Sequence, residues 1–339
     1  MRKAAVFLSV VLICLSFAAC GRQAYIKFIP MNTASAAPQA TEMQQYSIPT
    51  EKPEPSLPEY AELSLGDENE SVVLLQARLS ELGYMREEAT GYFGLATQRA
   101  VDLFKRQMNL PEDGIADIRM QTLIFGSSAS KCVFPLAGYI IGIDPGHQKR
   151  GDADLEPVYP GFSKMKKKVS SGTQGRFSGV PEYEVNLAVG LILQDMLDES
   201  GATVVMTRET NDVNISNIER AQLFNENKTD YAVRLHCNGS ENQGISGAFI
   251  LIPSDNPNQN DCKRGAELLI DEYCKATGAV DLGIVERSDQ TCFNWCERMI
   301  INIEMGHMTN KSEDMLLTSP EYQQSMAKGI YNGILAYFD

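Results

Sequence analysis

The stretch Ile140-Ile141-Gly142-Ile143-Asp144-Pro145-Gly146-His147 is a short apolar run that stops at Pro-Gly and delivers a histidine. A run of four to eight apolar residues closed by turn formers reads as a buried strand. The pattern returns at Tyr231-Ala232-Val233-Arg234-Leu235-His236. Working outward, strands are expected at 139–144, 203–207, 231–236, 247–252 and 299–304. Helices are expected at 182–199, 216–227, 262–277 and 320–337. Strands alternating with helices predict an α/β domain over 138–339, a mostly parallel sheet covered by helices on both faces. In such a sheet, ligands collect beyond the carboxyl ends of the strands.

The chain has only three histidines, and two of them, His147 and His236, fall at or just past the ends of expected strands. A single histidine at such a place is more often a hydrogen-bonded structural residue than a ligand. Two at converging strand ends make a metal site a natural hypothesis.

At the N-terminus, Arg2 and Lys3 precede an apolar run from Ala4 to Phe17 that ends in Ala18-Ala19-Cys20. A bilayer-crossing helix needs about 20 apolar residues, so this shorter run reads as a secretory signal over 1–20. Phe17-Ala18-Ala19-Cys20 resembles a bacterial lipobox, with Phe17 where the pattern usually has Leu. The resemblance implies lipidation of Cys20 and attachment to the outer face of the cytoplasmic membrane. Residues 21–62, rich in Pro, Ala, Ser, Thr, Gln and Glu, read as a disordered tether.

The chain has 339 residues, 43% of them hydrophobic, and a net charge of -14, which Arg2 and Lys3 make more negative still when they leave with the signal. Its length suits about two domains. Such an acidic chain is not expected to bind nucleic acid, because phosphate recognition wants a basic surface. Six cysteines lie beyond the signal and Cys20. An exported protein could oxidise them, but the sequence cannot choose among the 15 possible pairings of six cysteines, and none is assigned.

Between 63 and 127, Val72, Leu75, Leu79 and Leu82 recur at helical spacing before Gly83-Tyr84 ends the helix. A second helix carries Ala100, Val101, Phe104 and Met108. The segment Thr90-Gly91-Tyr92-Phe93-Gly94-Leu95-Ala96-Thr97 has a weaker echo in residues 113–122, which suggests a compact three-helix unit. This stretch resembles the peptidoglycan-binding domain type 1 family, which implies a module for peptidoglycan.

The larger domain resembles the N-acetylmuramoyl-L-alanine amidase family known as amidase 3. Asp144-Pro145-Gly146-His147, Gly179-Val180-Pro181-Glu182, His236-Cys237-Asn238 and Ile303-Glu304-Met305-Gly306-His307 occur in the family's order. Thr207-Arg208 and Glu219-Arg220-Ala221 belong to the same likeness. The resemblance implies that His147, Glu182 and His236 bind Zn2+ and that Glu304 is the catalytic carboxylate. Two imidazoles and a carboxylate would leave a fourth position open, as catalytic zinc requires. Glu184 is the rival ligand, but residues two apart on a helix point to different faces, and the Gly-x-x-Glu spacing favours Glu182. Cys237 neighbours His236 on a strand, so its side chain is expected to point the other way, as a small buried residue. His307 stands where the family commonly has an aromatic and is expected to act as a replacement for Phe, with an auxiliary proton donor or oxyanion contact as the alternative. The run Lys164, Lys166, Lys167 and Lys168 is expected to lie in a solvated loop, with contact to stem-peptide carboxylates or anionic wall polymer as the minority alternative. The implied function is zinc-dependent hydrolysis of the amide between N-acetylmuramic acid and L-alanine. A catalytically silent wall-binding lipoprotein and a zinc peptidase acting within the stem peptide are the alternatives.

Overall fold

Asn69 opens the first helix by accepting the Val72 N–H at 3.1 Å, and α1 (Glu70–Glu81) then buries Val72, Leu75 and Leu79 completely. The computed structural model describes residues 60–339; the expected signal, Cys20 and the tether up to residue 59 lie outside the described residues. Helices α2 (Leu95–Gln107) and α3 (Ile118–Phe125) complete the module, and Val101, Phe104, Met120 and Ile124 close its core. The echoed turn segments have a shared job. Each returns a short β-bridge to the start of the module, Glu68 to Tyr92 and Leu63 to Ala116.

The module packs against the larger domain. Arg99 of α2 pairs with Asp198 and donates to the Ala202 carbonyl at 2.9 Å, while Arg106 donates to the Asp198 carbonyl at 3.0 Å. The Arg86 guanidinium lies 3.7 Å from the centre of the Tyr139 ring.

The larger domain runs β1 (Ile140–Pro145), β2 (Asp152–Pro157), β3 (Met165–Val169), α4 (Glu182–Glu199), β4 (Thr203–Met206), α5 (Asn217–Glu226) and β5 (Tyr231–Asn238). It continues through β6 (Ala248–Pro253), α6 (Gln259–Thr277), β7 (Asp281–Arg287), α7 (Thr291–Trp295), β8 (Ile300–His307), α8 (Lys311–Leu317) and α9 (Pro320–Phe338). The sheet order is β4-β1-β5-β8-β6-β7. All neighbours are parallel except β6 and β8. From β1 the chain moves outward to β4, then returns to the other side of β1 as β5. The reversal opens a crevice at the carboxyl ends of β1 and β5, where open α/β sheets bind their ligands.

The pleat sorts side chains between two unequal faces. Tyr231, Val233, Leu235 and Cys237 of β5 join Ile301, Ile303 and Met305 of β8 in the main core, covered by α4, α6 and α9. Alternate residues point to the other face, where Ala232 and Ile300 join a smaller cluster with α5 and α7 residues. Arg234, His236, Asn302 and Glu304 follow on that second face.

Every expected strand and helix is present, with ends moved by a few residues. Strands β2, β3 and β7 and helices α7 and α8 are additional, and two of them are instructive. The lysine run is not a loop: Met165–Val169 is a strand paired antiparallel with β2 in a separate two-stranded sheet. Strand β7 is mostly exposed at the sheet edge, and its apolar Leu282, Ile284 and Val285 are broken by Gly283 and set between charged ends, so it lacks the pattern that marks a buried strand.

Candidate functional site

The site begins with a buried carboxylate. Asp144, with no solvent exposure, accepts from Thr207 Oγ1 at 2.6 Å and Arg234 Nε at 2.7 Å, and pairs with Arg220. Burial alone would raise its pKa, but the two guanidiniums outweigh that and hold it far below the usual carboxylate range. Arg220 and Arg208 then clamp the turn that follows β1. Arg208 donates to the carbonyls of Pro145 (2.7 Å), Gly146 (3.1 Å) and Tyr183 (2.9 Å), and Arg220 to that of His147 (3.2 Å). The turn is held against a conformational cost, since His147 sits at φ 61°, a region that non-glycine residues seldom adopt.

So aimed, His147 meets Glu182 and His236. His147 Nε2 lies 3.2 Å from Glu182 Oε1, and His236 Nδ1 lies 3.1 Å from the same oxygen. The ligand atoms of all three residues fall within 4.8 Å of one another. The His147 Nδ1 faces the Ser170 carbonyl at 2.9 Å, which requires a proton on Nδ1 and leaves the Nε2 lone pair toward the cluster. Glu182, the first residue of α4, accepts backbone N–H bonds from Thr173 (2.8 Å) and Cys237 (3.1 Å). Two glycines make room. A Cβ on Gly146 would stand 2.2 Å from the His236 ring, and one on Gly172 would stand 2.6 Å from Glu182 Oε2.

The electrostatics suit a cation. Burial pushes the His236 pKa down to about 4 against the pull of Glu182, so its imidazole is neutral at physiological pH. At His147 burial acts the same way, but the Glu182 carboxylate outweighs it and the pKa rises. Burial would raise Glu182, yet the two imidazoles hold it well below the ordinary range. Two imidazoles and a carboxylate, with His147 oriented by the Ser170 carbonyl and Glu182 by two backbone N–H groups, fit a divalent metal ion.

Glu304 stands beside this cluster, paired in register with His236 on the neighbouring strand. Burial first, and repulsion from Glu182 second, push its pKa up to about 7. Asn302 Nδ2 donates to its Oε1 at 3.0 Å. A carboxylate with such a pKa can both take and return a proton near neutral pH.

The structure brings together His147, Glu182, His236 and Glu304 and leaves the rivals outside. Glu184, two residues further along α4, is exposed and faces away from the cluster. Cys237 is buried in the main core. His307 is more than a substitute for Phe: it is buried, with Nδ1 3.2 Å from the Gly247 carbonyl and Nε2 3.1 Å from Asn238 Nδ2. Both nitrogens are engaged away from the cluster, so its imidazole is a polar tie between β8 and its neighbours. Sequence reasoning did not assign roles to Asp144, Arg208, Arg220 or Asp314. Asp314 accepts the N–H groups of Phe177 (2.6 Å) and Ser178 (2.9 Å) and so fixes the turn that leads into Glu182. Complete burial of a charged side chain identifies such residues, and burial is a tertiary property.

Comparison with known proteins gives the same direction. The sequence profile described as N-acetylmuramoyl-L-alanine amidase matches residues 141–336, and one describing a peptidoglycan binding domain matches residues 68–124. An N-acetylmuramoyl-L-alanine amidase of Mycobacterium tuberculosis is 27% identical over 62% of this chain and 91% of its own length. The germination-specific N-acetylmuramoyl-L-alanine amidase of Bacillus subtilis is 27% identical over 60% of this chain and 81% of its own. Among solved structures, the N-acetylmuramyl-L-alanine amidase Ami1 of Mycobacterium smegmatis superposes with a TM-score of 0.56 at 25% identity, over 60% of this chain and 98% of that one. With the His-Glu-His cluster, the neighbouring carboxylate and a family match over more than half its length, this chain belongs to the N-acetylmuramoyl-L-alanine amidase family.

Proposed function

We propose that this chain is a zinc-dependent N-acetylmuramoyl-L-alanine amidase that cuts the amide between N-acetylmuramic acid and L-alanine in peptidoglycan. The observation that carries this reading is the convergence of His147, Glu182 and His236 beside Glu304 at the carboxyl edge of the sheet. In this reading the three residues hold zinc and Glu304 is the catalytic residue. When bound, zinc supplies Lewis acidity that polarises a carbonyl and acidifies water. Glu304 takes the proton of the attacking water and hands it to the departing amine, which its raised pKa permits in both directions. Asn302 orients the carboxylate for that task.

The remaining assignments follow the same logic. Residues 63–127 bind peptidoglycan and 138–339 cut it. The module is joined to the far end of α4 through Asp198, and the first residue of that helix is Glu182. Binding and cleavage would therefore act from a shared rod of 18 residues, about 27 Å long. Export by the signal over 1–20, lipid attachment at Cys20 and reach through the tether over 21–62 would place both activities in the wall outside the cytoplasmic membrane.

Digestion of purified peptidoglycan, with mass spectrometry of the products, tests the reading. The expected products are stem peptides with free L-alanine amino termini and intact glycan strands. New amino termini further along the stem would make the enzyme a peptidase instead. An unchanged wall would make it a binding protein.

A further inference from the structure

The β2–β3 hairpin is fastened to the body of the domain by one face only. Glu156 and Val158 are buried, Glu156 accepts the Ile218 N–H at 3.3 Å, and Lys166, opposite Glu156, pairs with Asp289 at 3.2 Å. Trp295 Nε1 and Asn294 Nδ2 add bonds to the carbonyls of Pro157 (2.9 Å) and Val158 (3.0 Å). The hairpin therefore has a fixed direction. Its register puts Leu155 and Lys167, one residue out of phase with the Glu156 and Lys166 pair, on the outer face, and Met165 follows on the same side.

That outer side has no partner in the fold. Leu155 is 58% exposed, Met165 45%, and Phe162, in the turn, 67%. Single exposed apolar residues are ordinary, but three gathered on one hairpin are not. Lys164 and Lys167 are exposed beside them and have no ion-pair partner among the described residues, whereas Lys166 and Lys168 are both paired. The tip is also convex: Pro160, Gly161, Phe162 and Ser163 are all exposed, and a Cβ on Gly161 would meet nothing within 4 Å. Small-molecule sites are concave, whereas a projecting knob suits insertion into a broad, deformable surface.

Charge selects that surface. Residues 149–168 carry six Lys or Arg against three Asp or Glu, a local net of +3 in a chain of net -14. The chain as a whole is repelled by anions, and this segment is drawn to them. Apolar side chains flanked by long cationic ones fit the boundary between acyl chains and anionic headgroups. The lysine stems lie along the apolar layer while their ammonium groups reach the phosphates.

We propose that the outer face and tip of the β2–β3 hairpin dock on an anionic phospholipid bilayer, Leu155, Phe162 and Met165 entering the interface and Lys164 and Lys167 meeting headgroup phosphates. The hairpin also borders the catalytic cavity through Lys166. Docking would keep that cavity close to the bilayer, so that, on the amidase reading above, the wall layer nearest the membrane is the one cut. An acyl group on Cys20 would strengthen the contact, since only about 40 residues separate it from the first described residue and docking becomes intramolecular. The hairpin's own affinity does not depend on it.

The test sediments the purified chain 21–339, which lacks both signal and acyl group, with vesicles of phosphatidylcholine alone or mixed equally with phosphatidylglycerol. Wild type should partition onto the mixed vesicles at least about tenfold better than onto the neutral ones, and Lys164→Gln with Lys167→Gln should erase that preference. Leu155→Ser with Phe162→Ser should bind the mixed vesicles at least about tenfold more weakly. All variants should unfold with wild type, because the altered side chains are exposed. Phe162→Trp should show a blue-shifted emission that brominated acyl chains quench, with the mixed vesicles only. No binding of wild type to the mixed vesicles, or binding that leaves Phe162→Trp unquenched, overturns the proposal. Wild-type binding by the serine variant, competed by free poly(glycerol phosphate), also overturns it, since the surface would then hold an anionic polymer. Cleavage of soluble muropeptide is measured on the same samples, so failure of docking and failure of the amidase reading are told apart.

Discussion

His236 and Glu304 occupy the same register position on adjacent parallel strands, so their side chains rise side by side from one face of the sheet. The neighbouring backbone sets their separation, and neither side chain needs the other to hold its place. If Glu304 is the proton carrier, it can therefore be removed without dismantling the cluster proposed to hold the metal. Glu304→Ala should keep fold and zinc content while turnover on soluble muropeptide falls about 10²- to 10⁴-fold, the usual worth of positioned proton transfer. Metal analysis paired with turnover checks it, and loss of zinc in this variant would show that Glu304 is itself a ligand.

The three cluster residues should behave in the opposite way. His147→Ala and His236→Ala should each lose tight zinc binding and activity together, since each removes one of three protein donors. Gly146→Ala is a gentler probe. Its new Cβ would overlap the His236 ring and displace it, so zinc affinity should drop about 10- to 100-fold, as when a ligand's orienting contact is lost. Competition with a chromophoric chelator measures all three, and retained stoichiometric zinc in both His variants would sink the ligand assignment.

Asp144 anchors Arg220 and Arg234, and its removal would leave two buried guanidiniums without their carboxylate. Asp144→Asn should destabilise the fold by about 3–5 kcal/mol, measured by denaturant unfolding near pH 7. The difference should depend on pH in a defined sense. Because the carboxyl's pKa is lower folded than unfolded, its stabilisation is complete above the unfolded value of about 3.9 and drains away as pH falls below it. Wild type and variant should therefore converge in acid, and a gap that widens below about pH 4 would contradict the assigned direction.

His307→Phe separates structure from chemistry. The imidazole ties Gly247 to Asn238, and a phenyl ring would leave the buried carbonyl of Gly247 without that donor. Stability should fall by about 1–3 kcal/mol while zinc content and kcat stay near wild type. An inactive, zinc-loaded, fully stable His307→Phe would mean that His307 and not Glu304 carries the proton.

Activity should also report the environment of Glu304. A general base works only when deprotonated, so kcat/KM should rise with pH through its pKa. The acid limb should lie above the ordinary carboxylate value of about 4.3, in the direction of the value of about 7 that burial and Glu182 impose. Zinc content followed across the same range separates this titration from loss of metal. A limb at or below the ordinary value, with zinc retained, would argue against Glu304 as the base.

The sequence by itself determined the α/β alternation and the three-helix module, while the four candidate site residues were legible only through the resemblance of their motifs to a family. The reason is local: Pro145-Gly146 ends a strand and Gly179-Val180-Pro181 begins a helix wherever the rest of the chain lies. Helical geometry also allowed only one of Glu182 and Glu184 to face the cluster, and the Gly-x-x-Glu spacing favoured Glu182. Only the tertiary structure decided what holds those residues in place. Arg208, Arg220 and Asp314 hold backbone segments far away in sequence and Asp144 pairs with distant arginines, partners that no local pattern names. The lysine run read as a solvated loop because its charges outweigh any local pattern. It became a strand because β2 offered an edge and Asp289, over a hundred residues later, offered a partner. Local chemistry wrote the site's atoms into the chain, and long-range burial and pairing set their aim.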